Sequence, residues 1–428
     1  MFQITFLSLF LIFFLGCDSD NTIAVKESNS PQKIISPSIP MLGVLVNYSN
    51  IQISSNDNIW NKKLFGQEQN QLNHYYLQAS SNNFKFTQAQ ESSATVNDGI
   101  ISIHLNKKHP NIDIDSHLFT EKVYGDLKDA LQATDNFIDF SNYDTDANGY
   151  ITPNELLITF IIAGYEDAYE GMHVTNGVWG HQSCMVSDSN IPILDGIKLM
   201  DCSNSGNFAL FGERHNMSNP HDATIGIIAH ELGHSAFDLP DLYNTTNYES
   251  GGIGFFGLMG SGTWASKNSN EYAGNTPTHF SAWSKIHNGW ITPITANESS
   301  ASLHETASLD YNIIKVPINQ NSYYLLENRN NSGYDRGLNS LTGEFNGGIA
   351  IWRVNETKLT QTFIDNNTIN ADTHNKGIDL VEALNGTIDS NGDGGNENAL
   401  YYKENVSFYE NIVSDISQRG STMNLIIN

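Results

Sequence analysis

Unbroken apolar runs and helically spaced apolar positions share the first two thirds of this chain. Met41-Leu42-Gly43-Val44-Leu45-Val46 and the stretch from Leu156 to Ala163 have no polar alternation and predict buried strands. Residues 99–104 predict another strand. Leu72, Tyr75, Tyr76 and Leu77 mark a helix over Asn70–Ala79, and Val123, Leu127, Leu131 and Phe137 mark one over Leu118–Phe137. A third helix is predicted at about 222–237. Asn219-Pro220 stops what precedes it, Asp222 or Thr224 can cap it, and Ile225, Ile228, Ala229 and Leu232 form its apolar stripe.

After Trp290 the texture changes. Residues 311–316, 322–327, 347–353, 378–383 and 422–427 are short β-like runs separated by Asn, Gly and Ser turns. They predict a mostly antiparallel β region over 291–428, packed on a domain over 41–290.

The first sixteen residues are almost entirely apolar and end at Gly16-Cys17. Leu11 to Gly16 is too short an apolar core to span a bilayer and predicts a signal peptide over 1–16. A small residue before a cysteine resembles a bacterial lipoprotein signal, which makes Cys17 a lipidation candidate and 17–40 a flexible tether from the membrane. A plain secretory signal is the alternative, and either one takes the protein out of the cytoplasm. Cys184 and Cys202 then remain as an even pair in an oxidising compartment. A bridge between them closes a loop of about 18 residues, a stabilisation of roughly 3 kcal/mol.

With 47 Asp and Glu against 21 Lys and Arg, the 428-residue chain carries a net charge of −26, which argues against a nucleic-acid partner. Its hydrophobic fraction of 39% suits a folded protein.

The third helix carries the sharpest chemistry. In His230-Glu231-Leu232-Gly233-His234 the two histidines lie four apart, on one face of a helix. Both imidazoles can grip one zinc ion, and Glu231 lies beside it as general base for a zinc-bound water. Zinc needs a third protein ligand. Asp238 shares the face, but on a straight helix it stands about 12 Å from His230 along the axis, too far for a bond of about 2 Å. Leu239-Pro240-Asp241 is where the chain can turn back, so Asp241 is favoured. Asp238, Glu249 and Glu271 are the alternatives.

A second metal signal lies at 144–155, Asp-Thr-Asp-Ala-Asn-Gly-Tyr-Ile-Thr-Pro-Asn-Glu. Asp144, Asp146 and Asn148 supply side-chain oxygens and Tyr150 a carbonyl. Gly149 makes the turn, Thr152 acts through water, and Glu155 closes the site with two oxygens, as in a calcium loop. A strand-like run follows it, which favours a structural clamp over a sensor. Asp389, Asn391 and Asp393 form a weaker second calcium candidate, against a plain Gly-rich turn. Met259 stands in the Gly-rich turn Gly257–Gly262.

Three segments, HELGHSAFDLPDLY from His230, GFFGLMGSGTW at 254–264 and PTHFSAWSKIHNGW at 277–290, together resemble the immune-inhibitor-A family of bacterial secreted zinc endopeptidases. YYLLENRNNSGYD and GGIAIWRVNE in the β region are also similar. The resemblance implies an α+β fold: a metzincin-like domain with a mixed sheet and an active-site helix. It also implies peptide-bond hydrolysis, catalytic zinc on His230, His234 and Asp241, Glu231 as base, Met259 as the methionine turn, and stabilising calcium. Well-known members have Gly three residues after the second histidine and Asp six after. Here Phe237 holds the first position and the Asp comes seven on. The expected protein is a monomeric extracytoplasmic endopeptidase acting on proteins or peptides, held to the membrane by an N-terminal lipid. A zinc aminopeptidase and a non-catalytic calcium-stabilised adhesin are the alternatives. Tyr243 and His279 are the candidates for stabilising an oxyanion.

Overall fold

The computed structural model describes residues 36–111, 119–171, 174–187, 189–246, 251–296, 299–384, 388 and 394–428. Cys17 and the candidates Glu249, Asp389, Asn391 and Asp393 lie outside them.

The two apolar runs form adjacent strands at the centre of an eight-stranded mixed sheet. Ser38–Tyr48 pairs in parallel with Leu157–Glu166, which pairs in parallel with Phe208–His215. On its other side Ser38–Tyr48 meets Lys85–Gln88 over its first residues and Ile100–Leu105 over the rest. The antiparallel pairs sit beside Phe208–His215, which carries His181–Ser183 and His221–Asp222.

The lack of polar alternation has a direct cause: both faces of this sheet are covered. Met41, Leu45, Leu157 and Ile161 point into the core that holds the helix Ile225–Phe237. Leu42, Val44, Ile158 and Phe160 point the other way, against Val123, Leu127 and Leu131 of the helix Phe119–Thr134. Cys184 and Cys202 are joined in a disulfide.

Beyond residue 291, Ile314–Asn319, Ser322–Arg329, Gly348–Asn355 and Ile378–Val381 form an antiparallel sheet, to which Ile294–Thr295 adds a short parallel strand. Ile349 and Ile351 face the small sheet of Ser299–His304, Val413–Ser414 and Thr422–Ile427. Leu325, Trp352 and Ile378 face the other way and join the core beneath Ile225–Phe237. Among the described residues, one apolar core has members on both sides of residue 290.

A fully buried polar cluster lies in that shared core. Glu327, Arg329, Lys285 and Asp335 have no exposed side-chain surface. Arg329 donates from Nε and Nη2 to the two oxygens of Asp335 and from Nη1 to the Phe256 carbonyl at 2.6 Å. Trp352 Nε1 donates to Glu327 at 2.9 Å, and the Tyr311 hydroxyl also bonds Glu327.

Candidate metal centre

The helix begins at Thr224, as its sequence allows, but the Thr224 hydroxyl donates to the Ala273 carbonyl at 2.8 Å and not to its own first turn. Asp222, the other candidate cap, receives the Ser55 hydroxyl at 2.7 Å. The helix end decides the geometry of the site. The helix runs through Phe237, and Asp238 takes a left-handed conformation at φ 59° and ψ 32°. Asp is among the non-glycine residues that adopt this region with little strain. Asp238 N–H reaches the His234 carbonyl at 2.9 Å and Leu239 N–H the Gly233 carbonyl at 3.3 Å. The turn therefore falls one residue later than a glycine three past His234 would place it. The acid falls one residue later too. The two shifts cancel, and Pro240 carries the chain back so that Asp241 faces the histidines.

His230 Nε2 and His234 Nε2 lie 3.2 Å apart. Asp241 Oδ1 is 3.1 Å from the first and 3.3 Å from the second. The distal nitrogen of each ring is engaged. His230 Nδ1 donates to the Leu258 carbonyl at 3.0 Å, and His234 Nδ1 donates to the Leu239 carbonyl. A carbonyl oxygen only accepts, so each Nδ1 carries a proton, and in the neutral ring each Nε2 presents a lone pair. Asp241 Oδ1 is buried with no hydrogen-bond donor among the described residues. With both rings neutral, three acceptors converge, an arrangement that repels itself unless a cation lies at its centre. A tetrahedral ion with bonds of about 2.0 Å separates its ligands by about 3.3 Å. The observed triangle has that size.

Glu231 is buried beside this triangle, at 5% exposure. Burial pushes its carboxyl up to about 8, with Asp241 and Glu166 adding to the rise, while His230 and the Gln182 N–H pull it down. A cation among the neighbouring acceptors acts in the lowering direction.

Met259 packs against the helix at Gly233, between the two histidines in sequence. A Cβ at Gly233 would stand 2.7 Å from Met259 Sδ, so the glycine between the histidines leaves room for the sulfur. The same turn supplies the Leu258 carbonyl that fixes His230, and Thr263 donates to that carbonyl at 2.8 Å.

Of the alternative third ligands, Asp238 and Glu271 do not join the triangle. Asp238 is exposed, and Glu271 pairs with Lys267 at 3.1 Å and accepts the Thr276 hydroxyl at 2.7 Å. His279 is fully buried, which drives its imidazole down to about 3. Its peptide N–H points to Asp335 at 3.3 Å, placing it in the core and not on an open cleft.

In the 144–155 loop, ligand oxygens of Asp144, Asp146 and Glu155 lie within 4.8 Å of one another. Asp144 accepts the N–H groups of Asn148 and Gly149, both at 2.9 Å, and Gly149 takes φ 86° at the sharp turn. Glu155 accepts the Thr145 and Thr152 N–H groups at 3.0 Å each. The loop follows the short 3-10 turn Phe140–Tyr143 and runs on to the strand Leu157–Glu166, so no helix pair flanks it.

Residues 47–291, more than half of the chain, match the catalytic domain of the immune inhibitor A peptidase M6 family. The chain belongs to this family. Membership in the immune inhibitor A peptidases implies proteolysis with a catalytic metal. Among curated proteins, the chain is 31% identical over 153 residues to the pre-pro-metalloprotease PrtV of Vibrio cholerae serotype O1 (strain M66-2), covering 33% of this chain and 15% of that protein. It is 33% identical over 173 residues to immune inhibitor A of Bacillus thuringiensis subsp. alesti, covering 37% of this chain and 23% of that relative. The matches thus span less than a quarter of either relative's length. All three ligand candidates and Glu231 fall inside the family match; the strands from Ile294 onward fall outside it. Among the described residues, no helix is long and apolar enough to cross a membrane.

Proposed function

We propose that this protein is an extracytoplasmic zinc endopeptidase with a metzincin-like site. The observation that carries the reading is the triangle of His230 Nε2, His234 Nε2 and Asp241 Oδ1, with edges of 3.1 to 3.3 Å. Met259 beneath Gly233 supports the metzincin-like assignment, and the Cys184–Cys202 disulfide supports an oxidising compartment. Cys17 is the proposed lipid anchor, and the working form is a monomer acting on proteins or peptides.

Zinc, when bound, supplies a Lewis acid that acidifies a coordinated water and polarises a peptide carbonyl. The chain's own residues supply the remainder. Leu258 and Leu239 hold both imidazoles in the tautomer that leaves Nε2 free to bind. The Gln182 N–H fixes the Glu231 carboxylate, which takes the proton from the attacking water and delivers it to the departing amine.

Incubating the purified chain with casein and a peptide library tests this reading. Internal cleavage that stops with a zinc chelator and returns with added zinc is expected. Release of single terminal residues would replace it with an aminopeptidase, and no turnover would leave a non-catalytic role.

The 144–155 loop is proposed to hold a structural calcium through Asp144, Asp146, Asn148, the Tyr150 carbonyl and Glu155. At a free calcium level of about a hundred times Kd, binding adds about 2.7 kcal/mol to the stability of the folded chain. Calorimetry with calcium and with EGTA is expected to show a higher unfolding temperature in calcium, and Glu155→Gln is expected to remove the difference. An EGTA-insensitive unfolding temperature in the unaltered chain would refute the calcium assignment.

A further inference from the structure

We propose that Asn367 is the positioning residue for Asp241, so that the β-rich region completes a metal centre whose ligands all lie within residues 47–291. This rests on the zinc reading above.

Each ligand of the triangle has its far side held. For the two histidines the holders are backbone carbonyls of Leu258 and Leu239, both within the segment matching the catalytic-domain family. For Asp241 the holder is a side chain 126 positions away. Asn367 Nδ2 donates to Asp241 Oδ2 at 2.6 Å, and Asn367 Oδ1 accepts the Asp241 N–H at 2.7 Å. One amide therefore grips both the backbone and the carboxylate of the same residue. The double contact fixes which way the amide faces, because only its nitrogen donates. It also fixes the rotation of the carboxylate that turns Oδ1 towards the imidazoles.

Asn367 is itself held. It sits at φ 52°, a left-handed conformation that Asn tolerates. The Thr245 hydroxyl donates to its carbonyl, and its N–H reaches the Ile364 carbonyl at 2.9 Å. A separate tie joins the same two loops without touching the carboxylate. Asn370 Nδ2 donates to the Leu242 carbonyl at 2.8 Å. No shorter side chain makes both contacts to Asp241. Aspartate at 367 keeps the acceptor but sets a second carboxylate against the first.

The test uses the full chain and four proteins: unaltered, Asn367→Ala, Asn367→Asp and Asn370→Ala. Zinc affinity is measured by competition with a chromogenic chelator, and the unfolding temperature is measured on the zinc-free form. Loss of an outer partner of a metal ligand weakens binding by about 10- to 100-fold, and that loss is expected in both Asn367 variants. Asn370→Ala is expected to lower the unfolding temperature while keeping zinc affinity near that of the unaltered chain. Unchanged affinity in Asn367→Ala overturns the proposal and leaves the zinc reading standing. So does an affinity loss that follows the unfolding temperature equally across all three variants. An unaltered chain that binds no zinc overturns the zinc reading and this proposal together.

Discussion

Glu231→Gln is expected to lower kcat/KM on an internally quenched peptide by about 100- to 10,000-fold, the range that a positioned proton carrier contributes. Glutamine keeps the shape of the side chain and an oxygen for the Gln182 N–H, so zinc stoichiometry is expected to stay at that of the unaltered chain. Stability should move the other way. In the zinc-free protein, burial raises the Glu231 carboxyl from 4.5 to about 8. The folded state therefore holds this proton more tightly than the unfolded chain does. Its contribution to stability is full below pH 4.5 and is lost as the pH rises through about 8. Glutamine stays neutral throughout, so zinc-free Glu231→Gln should unfold at a higher temperature than the unaltered protein at pH 8 and at nearly the same temperature at pH 4. A group placed for proton transfer at a cost in stability gives that opposed pair of changes. Retention of more than about a tenth of the activity would remove Glu231 from the role, since the smallest such contribution is about 100-fold.

Much of this centre was legible because it is local. His230, Glu231 and His234 occupy one helical turn, and helical period alone sets the imidazoles side by side. Pro240 marked where the chain had to turn back. The register of that turn was not legible, because Asp238 performs in the left-handed region what a glycine does elsewhere, and Asp is an ordinary helix-end residue as well. The buried strands Ser38–Tyr48 and Leu157–Glu166 were readable from their uniform apolar runs. The strand Phe208–His215 was not, because Glu213-Arg214 interrupts its pattern; yet Glu213 is buried, accepting the Ser54 N–H at 3.3 Å. Asn367 gave no signal. An Asn in an Asn-rich turn reads as solvent-facing, and its partner lies 126 positions away. Glu327, Arg329 and Asp335 were hidden for the same reason: charged residues are rarely fully buried unless paired, and pairing is non-local.

That buried group supplies the other large expected effect. Asp335→Asn is expected to destabilise the fold by about 3–5 kcal/mol in guanidinium unfolding, the usual consequence of removing one partner of a buried ion pair. The substitution preserves shape but leaves the Arg329 guanidinium buried against a neutral amide. The effect should depend on pH. Burial acts to raise the Asp335 carboxyl, but Arg329 and His279 outweigh it and hold it far below its ordinary 3.8. A carboxyl depressed in the folded state stabilises above its unfolded pKa and loses that contribution as the pH falls towards the folded value. The gap between Asp335→Asn and the unaltered chain should therefore be full at pH 7 and shrink below about pH 4. Arg329→Met should be as damaging, because it strands Asp335 and frees the Phe256 carbonyl that Arg329 now satisfies at 2.6 Å. Phe256 directly precedes Gly257–Met259, the turn that seats His230, so Arg329→Met is expected to weaken zinc binding as well, whereas Asp335→Asn leaves that carbonyl bonded. Combining Arg329→Met with Asp335→Leu replaces the stranded charges by apolar groups and should recover much of the lost stability, since buried pairs often exchange for hydrophobic side chains at little net change. If the two losses simply add in the double variant, Arg329 and Asp335 act independently.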